Sequence, residues 1–90
     1  MIIEKKLQYI KKLQQILLYI GCDKPTAALK FEKEIDKKIL LLLKSPKMCA
    51  VSNYFDNESY RDLIYQGYTV IYKIEQEKIL ILEIFKWQNR

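Results

Sequence analysis
The hydrophobic pattern changes its period once along this chain, at Pro46. Before it, Leu7, Ile10, Leu13, Ile16, Leu17 and Ile20 recur at three- and four-residue spacings, with Lys and Gln on the other face. That is the spacing of an amphipathic helix. Gly21 follows the last apolar residue and predicts a left-handed helix stop. Asp23, Lys24, Pro25 and Thr26 predict the start of a second helix, with Pro in the first turn and Asp or Thr as cap. Its apolar stripe is Ala28, Phe31, Ile35, Ile39 and Leu42, widened at the far end by Leu40, Leu41 and Leu43. Lys44-Ser45-Pro46 ends it, because Pro disfavours helix in the residue before it. The short linker at 21–25 makes the two helices, near 5–20 and 24–44, an antiparallel hairpin.

After Pro46 the pattern is that of strands, rich in Ile, Val, Tyr, Phe and Trp. Strands are predicted near 48–54, 59–66, 68–75 and 79–87. Gly67 gives the first turn its freedom and the polar stretch 75–78 makes the second. Residues 79–85 are apolar except for Glu83, as suits a central strand covered on much of both faces. Met1-Ile2-Ile3 reads either as a short first strand or as a frayed start. The fold class is α+β: a helical hairpin on one face of an antiparallel sheet of about four strands, its other face open. With no repeat and no long linker, residues 1–90 form a single domain. Burial favours an odd-numbered loop between the last two strands, which sets Val70, Tyr72, Ile74, Leu80, Leu82 and Ile84 on one apolar face under the helices. A two-residue turn at Gln76-Glu77 sets Lys73 on the face of Leu80 and Leu82 instead.

Charge adds an asymmetry. Residues 1–47 hold eleven Lys and five Asp or Glu, net +6; residues 48–90 hold five Lys or Arg and six Asp or Glu, net −1. A basic helical half attracts nucleic acid or an acidic partner, though a solvated helix surface accounts for the same count. No apolar run reaches membrane-spanning length, and Lys5, Lys6, Lys11 and Lys12 interrupt any signal-peptide pattern, so a cytoplasmic protein is expected. Cys22 and Cys49 bracket the second helix, whose length of roughly 30 Å excludes a disulfide between them.

Much chemistry is excluded. There is no His, which removes the usual general base. Two distant thiols do not make a zinc site, and two glycines do not make a phosphate-cradling loop, so neither metal nor cofactor is expected. What remains is a scatter of cations among aromatics in the sheet half: Arg61, Lys73, Lys78, Lys86 and Arg90 beside Tyr60, Tyr65, Tyr68, Tyr72, Phe85 and Trp87. Such sets stack bases and hold phosphates. They also serve plain strand packing, with Arg61 paired to Asp62 or Glu83.

The stretches Leu17–Ile20, Ala27–Phe31, Ile35–Ile39 with Leu43, Ser45 and Pro46, then Tyr60–Ile64, Gly67–Ile74 and Ile79–Phe85, resemble the RelE/ParE family of toxins from type II toxin–antitoxin modules. The helix pair and the Arg-Asp-Leu strand are the most ParE-like parts. The resemblance implies a small toxin neutralised by a cognate antitoxin whose tail wraps it. It implies one of two targets: DNA gyrase, inhibited by ParE-type members without enzymatic action, or the ribosome, where RelE-type members cut mRNA. The chain departs from the RelE pattern. It has Ala50 where relatives often carry Arg, Lys86 where many have His, and it ends at Arg90 directly after the last strand. These departures favour gyrase inhibition over RNA cleavage, and they also fit a weakly active or non-toxic binding module. The family's toxic residues cluster toward the C-terminus, so Lys86, Trp87 and Arg90 are the expected target contacts. Arg61 is divided between target contact and a structural role. The basic first helix and the leucines at 40–43 lead us to expect an acidic, partly apolar antitoxin segment along the hairpin and an exposed sheet edge.

Overall fold
The structure, a computed structural model, describes residues 1–86. Seven elements follow in order: β1 (Ile2–Lys5), α1 (Leu7–Asp23), α2 (Pro25–Leu41), β2 (Ala50–Val51), β3 (Tyr60–Tyr65), β4 (Tyr68–Ile74) and β5 (Lys78–Lys86). The predicted layers are present, but the sheet has five strands, in the order β1-β5-β4-β3-β2, and is mixed. β1 pairs parallel to β5, while β2–β3, β3–β4 and β4–β5 are antiparallel. The first residues are thus a strand, and β5 is made internal by them.

The hairpin is tighter than expected. α1 runs through Gly21 to Asp23, so Gly21 is not a helix stop. It faces α2 instead: a Cβ built there would stand 3.4 Å from that of Ala28, an ordinary contact, so the packing does not itself require glycine. Lys24 alone, in extended geometry, joins the helices. Its N–H donates to the Ile20 carbonyl at 3.0 Å, and its own carbonyl accepts from Ala28 at 3.2 Å. Neither Asp23 nor Thr26 caps α2: Lys24 holds the cap position, Asp23 still belongs to α1 and Thr26 lies within α2, while Pro25 takes the first helical position.

Phe31, Ile35, Ile39 and Leu42 are buried as the α2 stripe predicted. On α1, Leu13 and Ile16 are buried, but Leu7 and Ile10 face solvent and Tyr9 takes the core position. Its hydroxyl has no hydrogen-bond partner among the described residues. Burial, with the carboxylates of Asp36 and Glu32 nearby, pushes its phenol well above the ordinary value of about 10. Folded chains therefore keep a proton that unfolded chains release once pH passes about 10, and stability falls as pH rises beyond that. Tyr9→Phe should leave the melting temperature unchanged or higher at neutral pH, since an unpartnered buried hydroxyl costs about 1–3 kcal/mol. It should also flatten the alkaline loss; thermal melts at neutral and alkaline pH check both.

The β3–β4 turn is Gln66-Gly67, both with positive φ, as a two-residue hairpin between right-twisted strands requires. The β4–β5 turn closes with the Glu75 N–H on the Lys78 carbonyl at 2.8 Å, leaving Gln76-Glu77 as a two-residue turn. Even parity therefore holds there, against the expected odd loop, and Lys73 pairs with Leu80. A β-bulge then corrects the parity: Tyr72 pairs with Ile81 but Ile71 with Glu83, leaving Leu82 without a partner on β4. Val70, Tyr72 and Ile84 are fully buried, as expected, but Ile79 and Ile81 lie in the core in place of Leu80 and Leu82.

The strand expected over 48–54 is cut to two residues. Beyond Val51 the polar side chains capture the backbone: Ser52 Oγ accepts from Tyr54 N–H at 3.1 Å and Asp62 Oδ2 from Asn53 N–H at 3.1 Å. The loop so formed crosses the sheet face opposite the helices. There Tyr54 meets Phe85 edge-on at 5.2 Å and Phe55 stacks on Tyr60 at 4.2 Å. That face is partly covered rather than open. Cys22 and Cys49 are both free thiols.

Candidate target-binding groove
β1 pairs with β5 only as far as Ile81. The chain then turns: Lys6 N–H donates to the Ile81 carbonyl at 2.9 Å and α1 begins. The second half of β5 therefore lies beside a helix rather than a strand, and a groove opens between them. Lys12, Gln15 and Tyr19 line it from α1; Tyr68, Phe85 and Lys86 line it from the sheet. It encloses about 410 Å³. Lys12 and Gln15 carry it into a second hollow with Gln8 and Lys11, where Gln8 Nε2 donates to Glu83 at 3.1 Å. Glu83 is thus held by Gln8, and Lys11, Lys12 and Lys86 have no carboxylate within ion-pair distance among the described residues.

The two rings on the sheet side are anchored elsewhere. Tyr68 packs edge-on to Phe31 at 5.1 Å, and Phe85 is held by Tyr54. Tyr19 is 74% exposed and makes no ring–ring contact among the described residues. The groove thus offers a free aromatic face between cations.

Of the expected contacts, Lys86 is exposed on this groove and cross-strand from Tyr68. Trp87 and Arg90 lie outside the described residues. Arg61 is not brought to this place. It pairs with Tyr72, four residues along β4 from Tyr68, about 13 Å at strand rise, and one strand further out. Nor does its guanidinium pair with Asp62 or Glu83. It donates from Nη1 to the Cys49 carbonyl at 3.0 Å and from Nε to the Glu58 carbonyl at 3.1 Å, clamping both ends of the β2 loop. Beside it Tyr72 donates to the Pro46 carbonyl at 2.8 Å; burial, then the Cys49 thiol, push the Tyr72 phenol well above its ordinary value.

Arg61→Ala should therefore lower stability by about 1–3 kcal/mol, since hydrogen bonds from charged groups contribute about 1.5–3 kcal/mol and this one is part-exposed. In a domain of this size that is a melting point lower by about 4–8 °C per kcal/mol. Arg61→Lys should restore little of it, because an ammonium does not span two carbonyls as the guanidinium fork does. A calorimetric melt of both variants checks this.

The groove residues Lys12, Gln15 and Tyr19 were not legible as a site. On α1 they read as the polar face of a helix, and nothing in the sequence sets them against the end of β5. Among the described residues no cluster of three His, Cys, Asp or Glu side chains stands ready for a metal.

A family model described as the ParE toxin of the type II toxin–antitoxin system parDE matches residues 3–88. The fold is similar to that of a chain in a solved structure of the chromosomal ParDE TA system from P. aeruginosa. The TM-score is 0.80 at 16% sequence identity, over 98% of this chain and 97% of that one. No curated protein matches.

Proposed function
This chain belongs to the ParE toxin family of type II toxin–antitoxin systems, and from that premise we propose that it arrests growth by binding and inhibiting DNA gyrase until a cognate antitoxin neutralises it. One observation carries the choice of a binding inhibitor over an RNA-cutting enzyme: among the described residues, the cations of the sheet do not converge. Arg61 is spent on two backbone carbonyls, Lys73 pairs with Glu75 at 3.5 Å, and Lys86 lies at the far end of β4 from Arg61. General acid–base cleavage needs proton donors and acceptors within hydrogen-bond reach of one reacting group. Binding needs no such convergence.

Induced expression should stop replication before translation, and the purified chain should inhibit gyrase supercoiling in vitro. Ribosome-bound mRNA cut in the A site, with gyrase unaffected, would replace this reading with the endoribonuclease one. The reaction compartment follows from the target: the cytoplasm. No helix among the described residues is long and apolar enough to cross a membrane.

The antitoxin reading rests on surfaces that the fold leaves without a partner. Leu7 and Leu18 of α1 and Leu29 and Leu40 of α2 are exposed on the hairpin, amid Lys11, Lys33 and Lys37. Among the described residues, the edge of β5 beyond Ile81 has no strand beside it. An acidic, partly apolar segment would cover the leucines, meet the lysines and add main-chain hydrogen bonds at the edge. The isolated chain should self-associate and the complex should be monodisperse. Sedimentation with and without antitoxin checks this, and a monodisperse toxin whose melting point the antitoxin leaves unchanged would refute it.

A further inference from the structure
We propose that the groove between α1 and β5 is a docking site for single-stranded DNA, with Tyr19 stacking on one base and Lys12 and Lys86 holding the phosphates beside it. The groove combines the two parts that sequence-tolerant binding of single strands requires, cations along a track and an aromatic face on which a base can stack. Lys12 and Lys86 line it and Lys11 adjoins it, none with a carboxylate partner among the described residues. Tyr19 supplies the face: it is mostly exposed and makes no ring–ring contact among the described residues, whereas Tyr68 and Phe85 are fixed by Phe31 and Tyr54. The one carboxylate adjoining the groove among the described residues, Glu83, accepts from Gln8, and Gln15 adds an amide donor for phosphate or base edges.

The chemistry selects among polyanions. An acidic peptide would be served by lysines anywhere on the basic hairpin and gains nothing particular from Tyr19. A duplex meets the lysines but hides its base faces in the stack. An unpaired strand uses both parts. This activity goes beyond inhibition of gyrase by protein contact, and its test needs no gyrase, so either reading can fail alone.

The experiment is fluorescence anisotropy of the full chain with fluorescein-labelled oligo(dT), over a range of salt. Oligo(dT) should bind more tightly than a duplex of the same length. Tyr19→Ala should weaken binding about tenfold, as expected for loss of one base stack, and Tyr19→Phe should keep it. Lys12→Ala with Lys86→Ala should reduce the slope of log K against log salt by about 1.4, or about 0.7 per phosphate released. Lys44→Ala with Lys47→Ala, outside the groove, should change the affinity little. Circular dichroism of each variant separates lost binding from lost fold. The proposal is overturned if Tyr19→Ala binds like the wild type, or if the Lys44/Lys47 pair matters as much as the groove pair. It is equally overturned if oligoglutamate competes with the same dependence on Tyr19, or if oligo(U) RNA binds more tightly than oligo(dT).

Discussion

Ile81→Asp should abolish the cooperative thermal transition, while Leu82→Asp, one residue on, should leave it in place. Ile81 is fully buried opposite Tyr72, in the core between sheet and helices. Aspartate there loses the apolar contacts, at about 2–5 kcal/mol for truncation of a buried isoleucine, and leaves a carboxylate without a partner, at several kcal/mol more. The sum approaches the whole stability of a small domain, about 5–15 kcal/mol. Leu82 is half-buried at the bulge with no residue opposite on β4, so a charge there can reach water. A regular strand in the odd-loop register would give the reverse result, with Leu82 the intolerant site. Deleting Leu82 is the sharper test. Tyr72–Ile81, Ile71–Glu83 and Val70–Ile84 would then form an unbroken ladder with the same residues inward. The deletion variant should therefore still unfold cooperatively, and a chain with no thermal transition would show that the bulge itself is needed.

That contrast marks the boundary of what the sequence could convey. The helical hairpin and its α2 stripe were legible because four apolar residues at helical spacing leave one face to bury. Tyr9 was not. Tyrosine is an equivocal marker of burial, and Leu7 and Ile10 supplied a stripe of equal quality that the hairpin leaves in solvent. The parity of β5 was not legible either. Every position from Ile79 to Leu82 is apolar, so no alternation shows which two face inward, and a bulge changes the answer partway along the strand. Arg61 and Asp62 are neighbours in sequence and point to opposite faces of β3, which is why proximity along the chain misled. Asp62 instead holds Asn53 on one face and Arg61 clamps Cys49 and Glu58 on the other. At the candidate site, Lys86 could be picked out as a cation at a strand end. Its companions Lys12 and Tyr19 could not, because only the packing of α1 against β5 brings them together.

Lys86→Ala combined with Arg90→Ala should abolish growth arrest while leaving antitoxin capture intact. Lys86 stands exposed at the end of β5, on the groove and away from the leucines of the hairpin, and at the β5 edge the antitoxin is expected to bond main-chain groups, which the alanine variants keep. Replacing such a surface charge typically changes stability by no more than about 0.5 kcal/mol, so loss of toxicity would not come from unfolding. Interface energy concentrates in a few residues, Arg and Trp prominent among them, and truncation of one such residue costs about 2 kcal/mol or more, about thirtyfold in affinity. The chain carries Lys86, Trp87 and Arg90 within its last five residues. The measurement pairs growth after induction with pull-down by the antitoxin, and adds truncation after Phe85 as an independent variant. Lost arrest with retained capture assigns target binding to this end of the molecule. Loss of both would mean that antitoxin and target share the surface. Full arrest in the double variant and in the truncation would remove the C-terminal end from the site and leave the basic face of the hairpin as the place to look.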